Sequence, residues 1–138
     1  MPKLEALLFA AKLFFVDPSA FCMAATVYGE ARGEQELGQA LVAQTIINRV
    51  NSKYYYNTAC EVVQQRKQYA GYGAAIPRTD KQWAKWVSIS EVVIKVRAGG
   101  YALGTCGKAT HFDMSTATPY WAGKLTLLCK VGGHVFYK

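Results

Sequence analysis

At residues 28–34 the chain reads Tyr-Gly-Glu-Ala-Arg-Gly-Glu, and this stretch decides the fold. The apolar residues 21–28 before it predict a helix that is buried over most of its surface. Gly33 is a typical helix stop, and helical periodicity resumes over residues 37–51. Glu30 therefore lies at the carboxyl end of a buried helix, next to the turn that leads into a second one. We expect the rest of the chain to build a cleft around this carboxylate.

Glu30 differs from most other acidic residues of the chain, which lie at helix starts or on solvent-facing helix positions. Burial and the negative end of a helix dipole both disfavour the ionised form of a carboxyl group. A carboxyl group that keeps its proton is what a general acid for glycosidic cleavage requires. The alternative from spacing alone is that Glu30 only pairs with Arg32 or Arg49.

Capping residues and apolar periodicity predict further elements on both sides of this helix pair. Asp17 and Pro18 start the helix that carries Glu30, while Thr79 and Gln82 form a capping box. Predicted helices cover residues 3–16, 18–31, 37–51 and 58–63, and one more runs from the capping box to the glycines at 99–100. Predicted strands cover residues 110–114, 125–130 and 134–137, and residues 64–77 suit an irregular hairpin or cleft loop. The sum is one α+β domain over residues 1–138, mainly helical with short antiparallel hairpins.

Residues 1–16 form an N-terminal segment whose predicted helix begins at Lys3. This helix carries an apolar stripe near helical period, which we expect to pack on the core. The members of the stripe are Leu4, Leu7, Leu8, Ala11 and Phe15. The alternative is a targeting or membrane-active segment. Glu5 and Lys12 interrupt the apolar run, and no small-x-small cleavage site follows, so the sequence shows no clear signal peptide.

The charge of the chain restricts its partners. Its 138 residues carry a formal net charge of +7, which predicts attraction to a polyanion such as nucleic acid, an anionic membrane or an anionic cell-wall polymer. Tyrosines at 54–56 beside Lys53 could stack on bases. We find no helix-turn-helix or RNA-binding motif, so nucleic acid is not an expected partner.

Four cysteines stand far apart in the sequence, at Cys22, Cys60, Cys106 and Cys129. No C-x-x-C pair exists, which argues against a zinc ribbon or a thioredoxin-type site. The spacing cannot choose among the three complete pairings. We expect all four to be reduced, with Cys22 and Cys129 as buried thiols.

Further motifs follow residues 28–34 in an order that resembles the cell wall hydrolases, the family that includes the spore cortex-lytic enzyme. They are Gly38-Gln39, Ile47-Asn48-Arg49-Val50, Asn57-Thr58-x-Cys60-x-Val62-Val63, Gln68-Tyr69, Ala109-Thr110-His111-Phe112, Pro119-x-Trp121-Ala122 and Gly133-His134-x-Phe136-Tyr137. The resemblance covers residues 21–138. Two departures are Tyr69, where the family usually has Phe, and residues 70–71, where some relatives have a cysteine that could pair with Cys60.

The resemblance implies a lysozyme-like fold and cleavage of peptidoglycan glycan strands. It assigns Glu30 as the catalytic acid and then base of a lytic transglycosylase, which yields 1,6-anhydro products. A hydrolysing muramidase for wall remodelling is the alternative, and it would need a second carboxylate. Glu34 is the first candidate for that group by sequence, and Asp113 is the next. We expect Glu34 instead to support loop geometry through Arg32 or Arg49.

The matched positions also predict a substrate-binding cleft. The resemblance implies that Gln68 and Tyr69 face the catalytic glutamate, because lysozyme-like folds carry a hairpin at this place. There an amide can bind N-acetyl groups and an aromatic ring can stack on a sugar. Thr110 and His111 would form a second wall, and Tyr120 would line the groove. His111 has only His134 as a second histidine, so we expect no metal and no cofactor.

A short basic chain of this kind resembles a phage endolysin, which stays in the host cytoplasm until its release to the cell wall or periplasm. The expected partners are peptidoglycan glycan strands and anionic outer-membrane lipid, and the expected state is a monomer. A bacterial wall-remodelling enzyme is the second interpretation. A non-catalytic glycan- or nucleic-acid-binding module is a further alternative, and it predicts that Glu30 is dispensable.

Overall fold

The computed structural model describes residues 2–65 and 68–138 and shows a helical body with a small sheet. The helices are α1 (Lys3–Val16), α2 (Pro18–Ala31), α3 (Glu36–Val50), α4 (Ala59–Gln64) and α5 (Asp80–Arg97), and the strands are β1 (His111–Met114), β2 (Leu127–Val131) and β3 (His134–Tyr137). Short 3-10 helices lie at Gly104–Lys108 and Ala122–Lys124. Within the described residues, no helix combines the length and the apolar character needed to cross a membrane. The predicted α+β class is confirmed.

The helix α2 is the centre of the helical body, because it packs against each of the other four helices. Most of its buried side chains are small, and those of Ala24 and Val27 are fully buried. Small side chains let helix axes approach closely, and branched residues of the neighbours fill the space between them. Ile46 of α3 and Val93 of α5 are such neighbours, and both are fully buried. The carboxyl end of α2 therefore has a fixed position in the molecule.

Side-chain caps start three of the helices where the sequence predicts them. Asp17 accepts a hydrogen bond from the Ala20 N–H at 3.2 Å at the start of α2, and Thr58 accepts one from the Glu61 N–H at 3.3 Å in α4. The capping box of α5 is complete, since Thr79 and Gln82 each accept a hydrogen bond from the backbone N–H of the other. These three predicted starts are confirmed.

The sheet is antiparallel, with the strand order β1-β3-β2. The predicted terminal hairpin is present as β2 and β3, and its turn contains Gly132 at φ +56°, a left-handed conformation that favours glycine. Phe136 of β3 is fully buried and pairs with Phe112 of β1. The sheet thus attaches to the helical body through one face. For residues 64–77 the sequence predicts an irregular hairpin or a cleft loop. The described residues between α4 and α5 form no strand, which agrees with the loop, and residues 66–67 lie outside the described part of the chain.

The orientation of α1 corrects the sequence prediction. Ala6 and Ala10 are buried against α2 and α5, whereas Leu4, Leu8 and Phe15 of the predicted core stripe are 68%, 62% and 81% exposed. Apolar residues occur on both faces of α1, so periodicity alone could not choose between them. The two alanines allow a closer approach of the helix backbones than a leucine stripe would, and this face packs inward.

Disulfide bonds correct the expectation of four reduced cysteines. Cys22 in α2 is bonded to Cys60 in α4, with their Cα atoms 5.2 Å apart, and Cys106 is bonded to Cys129 in β2, with their Cα atoms 5.7 Å apart. The partners are 38 and 23 residues apart in sequence. Only the folded chain brings them together, which is why their spacing did not reveal the pairing.

Candidate active site

A cleft of about 540 Å³ lies where the carboxyl ends of α2 and α3 face the sheet. One wall comes from the two helices and the loop at residues 68–70, and the other comes from β1, the start of β3 and residues 120–121. The lining residues are Glu30, Arg49, Gln68, Tyr69, Ala70, His111, Phe112, Asp113, Met114, Tyr120, Trp121 and His134. Most of the predicted site residues therefore meet in one place, although they are far apart in sequence.

Glu30 is in the last turn of α2, half-buried, and it lines this cleft. Its Oε1 accepts a hydrogen bond from the Gly71 N–H at 2.8 Å. A Cβ atom on Gly29 would overlap the carbonyl oxygen of Gly71, and one on Gly71 would lie 2.7 Å from the Glu30 backbone nitrogen. The two glycines thus let the loop lie directly against the helix end, where its backbone can orient the carboxylate.

The alternative pairing of Glu30 with an arginine does not occur among the described residues. Arg32 instead donates from Nη1 to the Tyr28 carbonyl oxygen at 3.2 Å, and its guanidinium lies 5.2 Å from the centre of the Tyr28 ring. The Arg32 side chain thus binds a carbonyl group in the last turn of α2. Arg32 therefore supports the end of α2 and does not bind Glu34, the partner that the sequence predicts.

Glu34 contacts the β2–β3 turn and does not line the cleft. Its Oε1 accepts a hydrogen bond from the Gly133 N–H at 2.6 Å and lies 3.3 Å from His134 Nδ1, without hydrogen-bond geometry. The sequence predicted a loop-supporting role through Arg32 or Arg49. The structure corrects the partners, since Glu34 connects the α2–α3 turn to the sheet. Sequence reasoning could not find this contact because the residues are 99 positions apart.

Asp113 is the other carboxylate in the cleft lining, together with Glu30. Its Oδ1 accepts a hydrogen bond from the Met114 N–H at 2.7 Å, and the residue is half-buried on β1. From the sequence, Glu34 is the first candidate for a second carboxylate and Asp113 the next; the structure reverses this ranking. Asp113 lies in the cleft, whereas Glu34 is bound elsewhere.

Arg49 is a cleft residue that sequence reasoning considered only as an ion-pair partner. It is 3% exposed, and it donates from Nε to the Thr110 carbonyl oxygen and from Nη1 to Gln68 Oε1, both at 2.7 Å. Its guanidinium lies between the rings of Tyr55 and Tyr69, at 4.8 and 5.0 Å from their centres. Because arginine only donates hydrogen bonds, Gln68 turns its oxygen to Arg49 and keeps its NH₂ group for another acceptor. The motif Ile47-Asn48-Arg49 was the available clue.

Tyr69 packs in the wall of the cleft and is only 4% exposed. Its hydroxyl is 2.9 Å from Thr45 Oγ1, and its ring contacts Arg49 and Phe112. Burial raises the pKa of the Tyr69 hydroxyl, although the charge of Arg49 opposes this effect. The structure does not favour the predicted sugar-stacking role, because the ring is already covered by protein.

His111 lies in the opposite wall, with its ring 5.0 Å from that of Trp121. Its Nδ1 is 3.0 Å from Oγ1 of Thr110, a residue that is not among those lining the cleft. Burial, and then the positive charge of Arg49, lowers the pKa of His111 to about 4. The imidazole is therefore neutral near pH 7 and can offer a hydrogen bond to an uncharged sugar group.

Aromatic residues at the cleft rim provide the exposed surface that Tyr69 lacks. Tyr120 is 88% exposed, and Trp121 lines the cleft and packs edge-to-face with Tyr137, with the ring centres 5.1 Å apart. The predicted groove position of Tyr120 agrees with this placement, and its contact with substrate stays a prediction. In the part of the chain that the structure describes, no group of three or more His, Cys, Asp or Glu side chains could hold a metal ion.

A half-buried carboxylate at the end of a central helix, facing a small antiparallel sheet across a cleft, defines a lysozyme-like α+β protein. The sequence profile of the family described as Cell Wall Hydrolase matches residues 33–137. The chain therefore belongs to the cell wall hydrolase family, as its motifs predict, and this is a family of enzymes. Glu30 precedes the matched range, so its catalytic role stays a prediction.

Similar proteins agree with this assignment. The spore cortex-lytic enzyme of Bacillus cereus is 33% identical over 117 residues, which are 84% of this chain and 42% of that protein. The one of Halalkalibacterium halodurans is 30% identical over 123 residues, which are 88% of this chain and 35% of that protein. This chain thus spans less than half the length of these curated relatives.

Two solved structures show the same fold. The catalytic domain of the Bacillus cereus SleB protein has a TM-score of 0.69 and 30% identity, over 87% of this chain and 89% of that one. The catalytic domain of the germination-specific lytic transglycosylase SleB from Bacillus anthracis has a TM-score of 0.70 and 30% identity, over 88% and 95%. The predicted lysozyme-like α+β fold is therefore confirmed.

Proposed function

We propose that this chain cleaves the β-1,4 bond between N-acetylmuramic acid and N-acetylglucosamine in peptidoglycan, as a lytic transglycosylase that forms 1,6-anhydro ends. The observation that carries this proposal is the placement of Glu30. Its carboxylate is held by the Gly71 N–H at 2.8 Å and opens on a cleft large enough for sugar rings. The names of the similar proteins, a cortex-lytic enzyme and a lytic transglycosylase, support the same reaction.

The reaction needs one carboxyl group that acts twice. Protonated Glu30 gives its proton to the glycosidic oxygen, and the bond from C1 of the muramyl residue to that oxygen breaks with an oxocarbenium-like transition state. The ionised Glu30 then removes the proton of the muramyl C6 hydroxyl, whose oxygen bonds to C1. The Gly71 N–H stabilises the carboxylate between the two steps, because hydrogen bonds to an ionised acceptor are strong. Glu30 ends protonated, as it began.

Hydrolysis is the second candidate reaction, and Asp113 is the observation that favours it. Asp113 lines the same cleft as Glu30. In a hydrolysing muramidase a second carboxylate activates water or bonds to C1, so the product would contain an added water in place of the anhydro ring. The two reactions therefore differ both in product mass and in their need for Asp113.

The test is release of soluble fragments from insoluble peptidoglycan, with the products identified by mass spectrometry. We expect anhydro products from the wild type, and release lowered about 10²–10⁴-fold by Glu30→Gln, the usual share of an acid–base group. Asp113→Asn should keep activity within about tenfold, because the transglycosylase needs no second carboxylate. Glu91→Gln, on the exposed side of α5, is the matched control and should behave as the wild type.

Three outcomes would contradict parts of the proposal. No release by the folded wild type would rule out the enzyme and leave a glycan-binding module. Equal release by the wild type and the Glu30→Gln variant would remove Glu30 from the mechanism. Products with an added water that disappear in Asp113→Asn would replace the transglycosylase by a hydrolase. Circular dichroism of each variant shows that the fold is retained.

We further propose that the chain acts in host-cell lysis as a monomeric phage endolysin. It would stay in the host cytoplasm until release to the periplasm and wall, where disulfides such as Cys22–Cys60 and Cys106–Cys129 can form. The net charge of +7 supports attraction to peptidoglycan and to anionic outer-membrane lipid.

Expression in the bacterial cytoplasm tests this role. Cells should stay intact until the inner membrane is permeabilised, after which the turbidity of the culture should fall. The Glu30→Gln variant should leave the turbidity unchanged under both conditions. Lysis before permeabilisation, or no lysis afterwards by a chain that cleaves isolated peptidoglycan, would contradict the lysis role while leaving the reaction in place.

A further inference from the structure

The outer face of α1 is an apolar surface that the fold leaves uncovered. We define it as Leu4, Leu7, Leu8, Ala11 and Phe15, which stand at positions i, i+3, i+4, i+7 and i+11 and so share one side of the helix. All five are exposed, and Phe14 and Val16 extend the exposed apolar surface at the carboxyl end of the helix. Single exposed apolar residues are common, but a continuous apolar helix face marks an interaction surface.

The opposite side of α1 already holds the helix in place. Ala6 and Ala10 are buried, and Phe9 and Leu13 pack against the core. The Lys3 N–H donates to Asp80 Oδ1 at 2.9 Å at the start of α1, and Arg97 binds Asp17 at 2.6 Å just after its end. The helix therefore lies along α5 with its outer face turned away from the protein, and folding does not require that face.

Charge identifies the partner of this face. Lys3 and Lys12 are exposed on the same helix, which contains one acidic residue, Glu5. The whole chain carries +7, so two copies that meet through this face would repel each other. Anionic headgroups attract the same charges, and an apolar helix face flanked by lysines can lie in the boundary between headgroups and acyl chains. The 14 residues of α1 span about 21 Å, a length suited to lying along that boundary.

We propose that the outer face of α1 binds the surface of a bilayer that carries anionic phospholipid headgroups. Leu4, Leu8 and Phe15 enter the acyl boundary, and Lys3 and Lys12 contact the headgroups. No residue of α1 lines the cleft, so the two surfaces share no residue. This inference assigns a surface to the lipid contact, and it does not depend on the reaction that the cleft performs.

Flotation of the full chain with lipid vesicles tests the proposal. Vesicles of phosphatidylglycerol and phosphatidylethanolamine should bind the wild type, and vesicles of phosphatidylcholine should bind it more weakly. The double variant Leu8→Gln/Phe15→Gln should reduce the partition coefficient about tenfold or more, because it removes two large side chains from the apolar contact. Ile76→Gln removes a 71% exposed apolar side chain outside α1 and should change nothing. Lys12→Gln should lower binding and its dependence on salt.

Several results would overturn the proposal. One is a wild type that stays unbound at low salt, and another is a double variant that floats as well as the wild type. A third is a concentration-dependent dimer without lipid that the double variant abolishes, since it would make the face a contact between copies. Peptidoglycan release by the double variant should equal that of the wild type, which separates this test from that of the cleft.

Discussion

At the scale of single residues, Arg49 determines what its neighbours can do in the cleft. It donates hydrogen bonds to the side-chain oxygen of Gln68 and to the carbonyl oxygen of Thr110, and it covers one face of the Tyr69 ring. The same charge adds to burial in keeping His111 neutral. One buried cation thus fixes the orientation of the Gln68 amide, with its NH₂ group left for another acceptor, and packs against the ring of Tyr69.

The depressed pKa of His111 predicts a dependence of stability on pH. The folded chain binds this proton only near pH 4, whereas the unfolded chain binds it near the ordinary value of 6.5. Between these values the unfolded state holds more protons, so the His111 contribution makes the protein less stable as the pH falls from about 6.5 to 4. Below about pH 4 this contribution adds no further loss.

Urea unfolding of the wild type and His111→Asn at pH 7 and pH 4.5 measures this effect. The wild type should lose more free energy of unfolding over that interval than the variant does, because only the wild type has the histidine. The carboxyl groups titrate in both chains and cancel in the comparison. Equal losses in the two chains would contradict a depressed pKa at His111.

At the scale of elements, Gly29 in the last turn of α2 and Gly71 in the loop of residues 68–71 let that loop lie directly against Glu30. A side chain on Gly29 would overlap the Gly71 carbonyl group, whereas a Cβ atom on Gly33 would have no neighbour within 4 Å. Two glycines of one motif therefore have different tasks. The first allows a close backbone contact, and the second occupies the open turn after the helix.

The variants Gly29→Ala and Gly33→Ala are a matched pair for this contact. Gly29→Ala should displace the loop, remove the Gly71 hydrogen bond to Glu30 and lower peptidoglycan release about 100-fold, because a small shift of a catalytic group is enough for such a loss. Gly33→Ala should stay within about twofold, since it adds a methyl group in open space. Similar activities of the two variants would show that the loop contact does not orient Glu30.

Glu34 connects two further elements, the α2–α3 turn and the β2–β3 turn. Glu34→Ala should lower the free energy of unfolding by about 2 kcal/mol, because it removes a charged acceptor from the Gly133 N–H. Denaturant unfolding measures this change, and Glu91→Ala on the exposed side of α5 should stay within about 0.5 kcal/mol. A loss no larger than that of the control would mean that the hairpin keeps its position without Glu34.

At the scale of the whole molecule, the two disulfides connect separate parts of the fold. Cys22–Cys60 joins the central helix to α4, and Cys106–Cys129 joins the segment after α5 to the sheet. A bridge between distant residues reduces the freedom of the unfolded chain, and the effect grows with the size of the closed loop. Each bridge therefore stabilises the assembled domain in addition to its core.

Removal of either bridge should lower the free energy of unfolding by about 3–4 kcal/mol, given sequence separations of 38 and 23 residues. The variants Cys22→Ala/Cys60→Ala and Cys106→Ala/Cys129→Ala test them one at a time by denaturant unfolding. A thiol reagent should find no reactive cysteine in the denatured, unreduced wild type. Four reactive thiols in that sample would show that the cysteines are reduced and that neither disulfide forms.

The local features of this protein follow from its sequence. Caps at Asp17, Thr58 and Thr79 and the glycines of the terminal turn depend on residues within a few positions of each other, so the helix starts and the hairpin could be predicted. The motifs also identified the family and singled out Glu30. Caps and turns of this kind depend on neighbouring residues in the chain, so the sequence is enough to predict them.

Only the tertiary structure decided which face of α1 packs inward, how the cysteines pair, and where Glu34 and Arg49 bind. Each of these depends on contacts between residues far apart in the chain, such as Glu34 with Gly133 or Cys22 with Cys60. A helix that is apolar on two sides has no periodicity that selects one of them. Ala6 and Ala10 of α1 can pack closely only against α2 and α5 of the folded protein. That packing leaves the opposite side of α1, with Leu4 and Leu8, exposed.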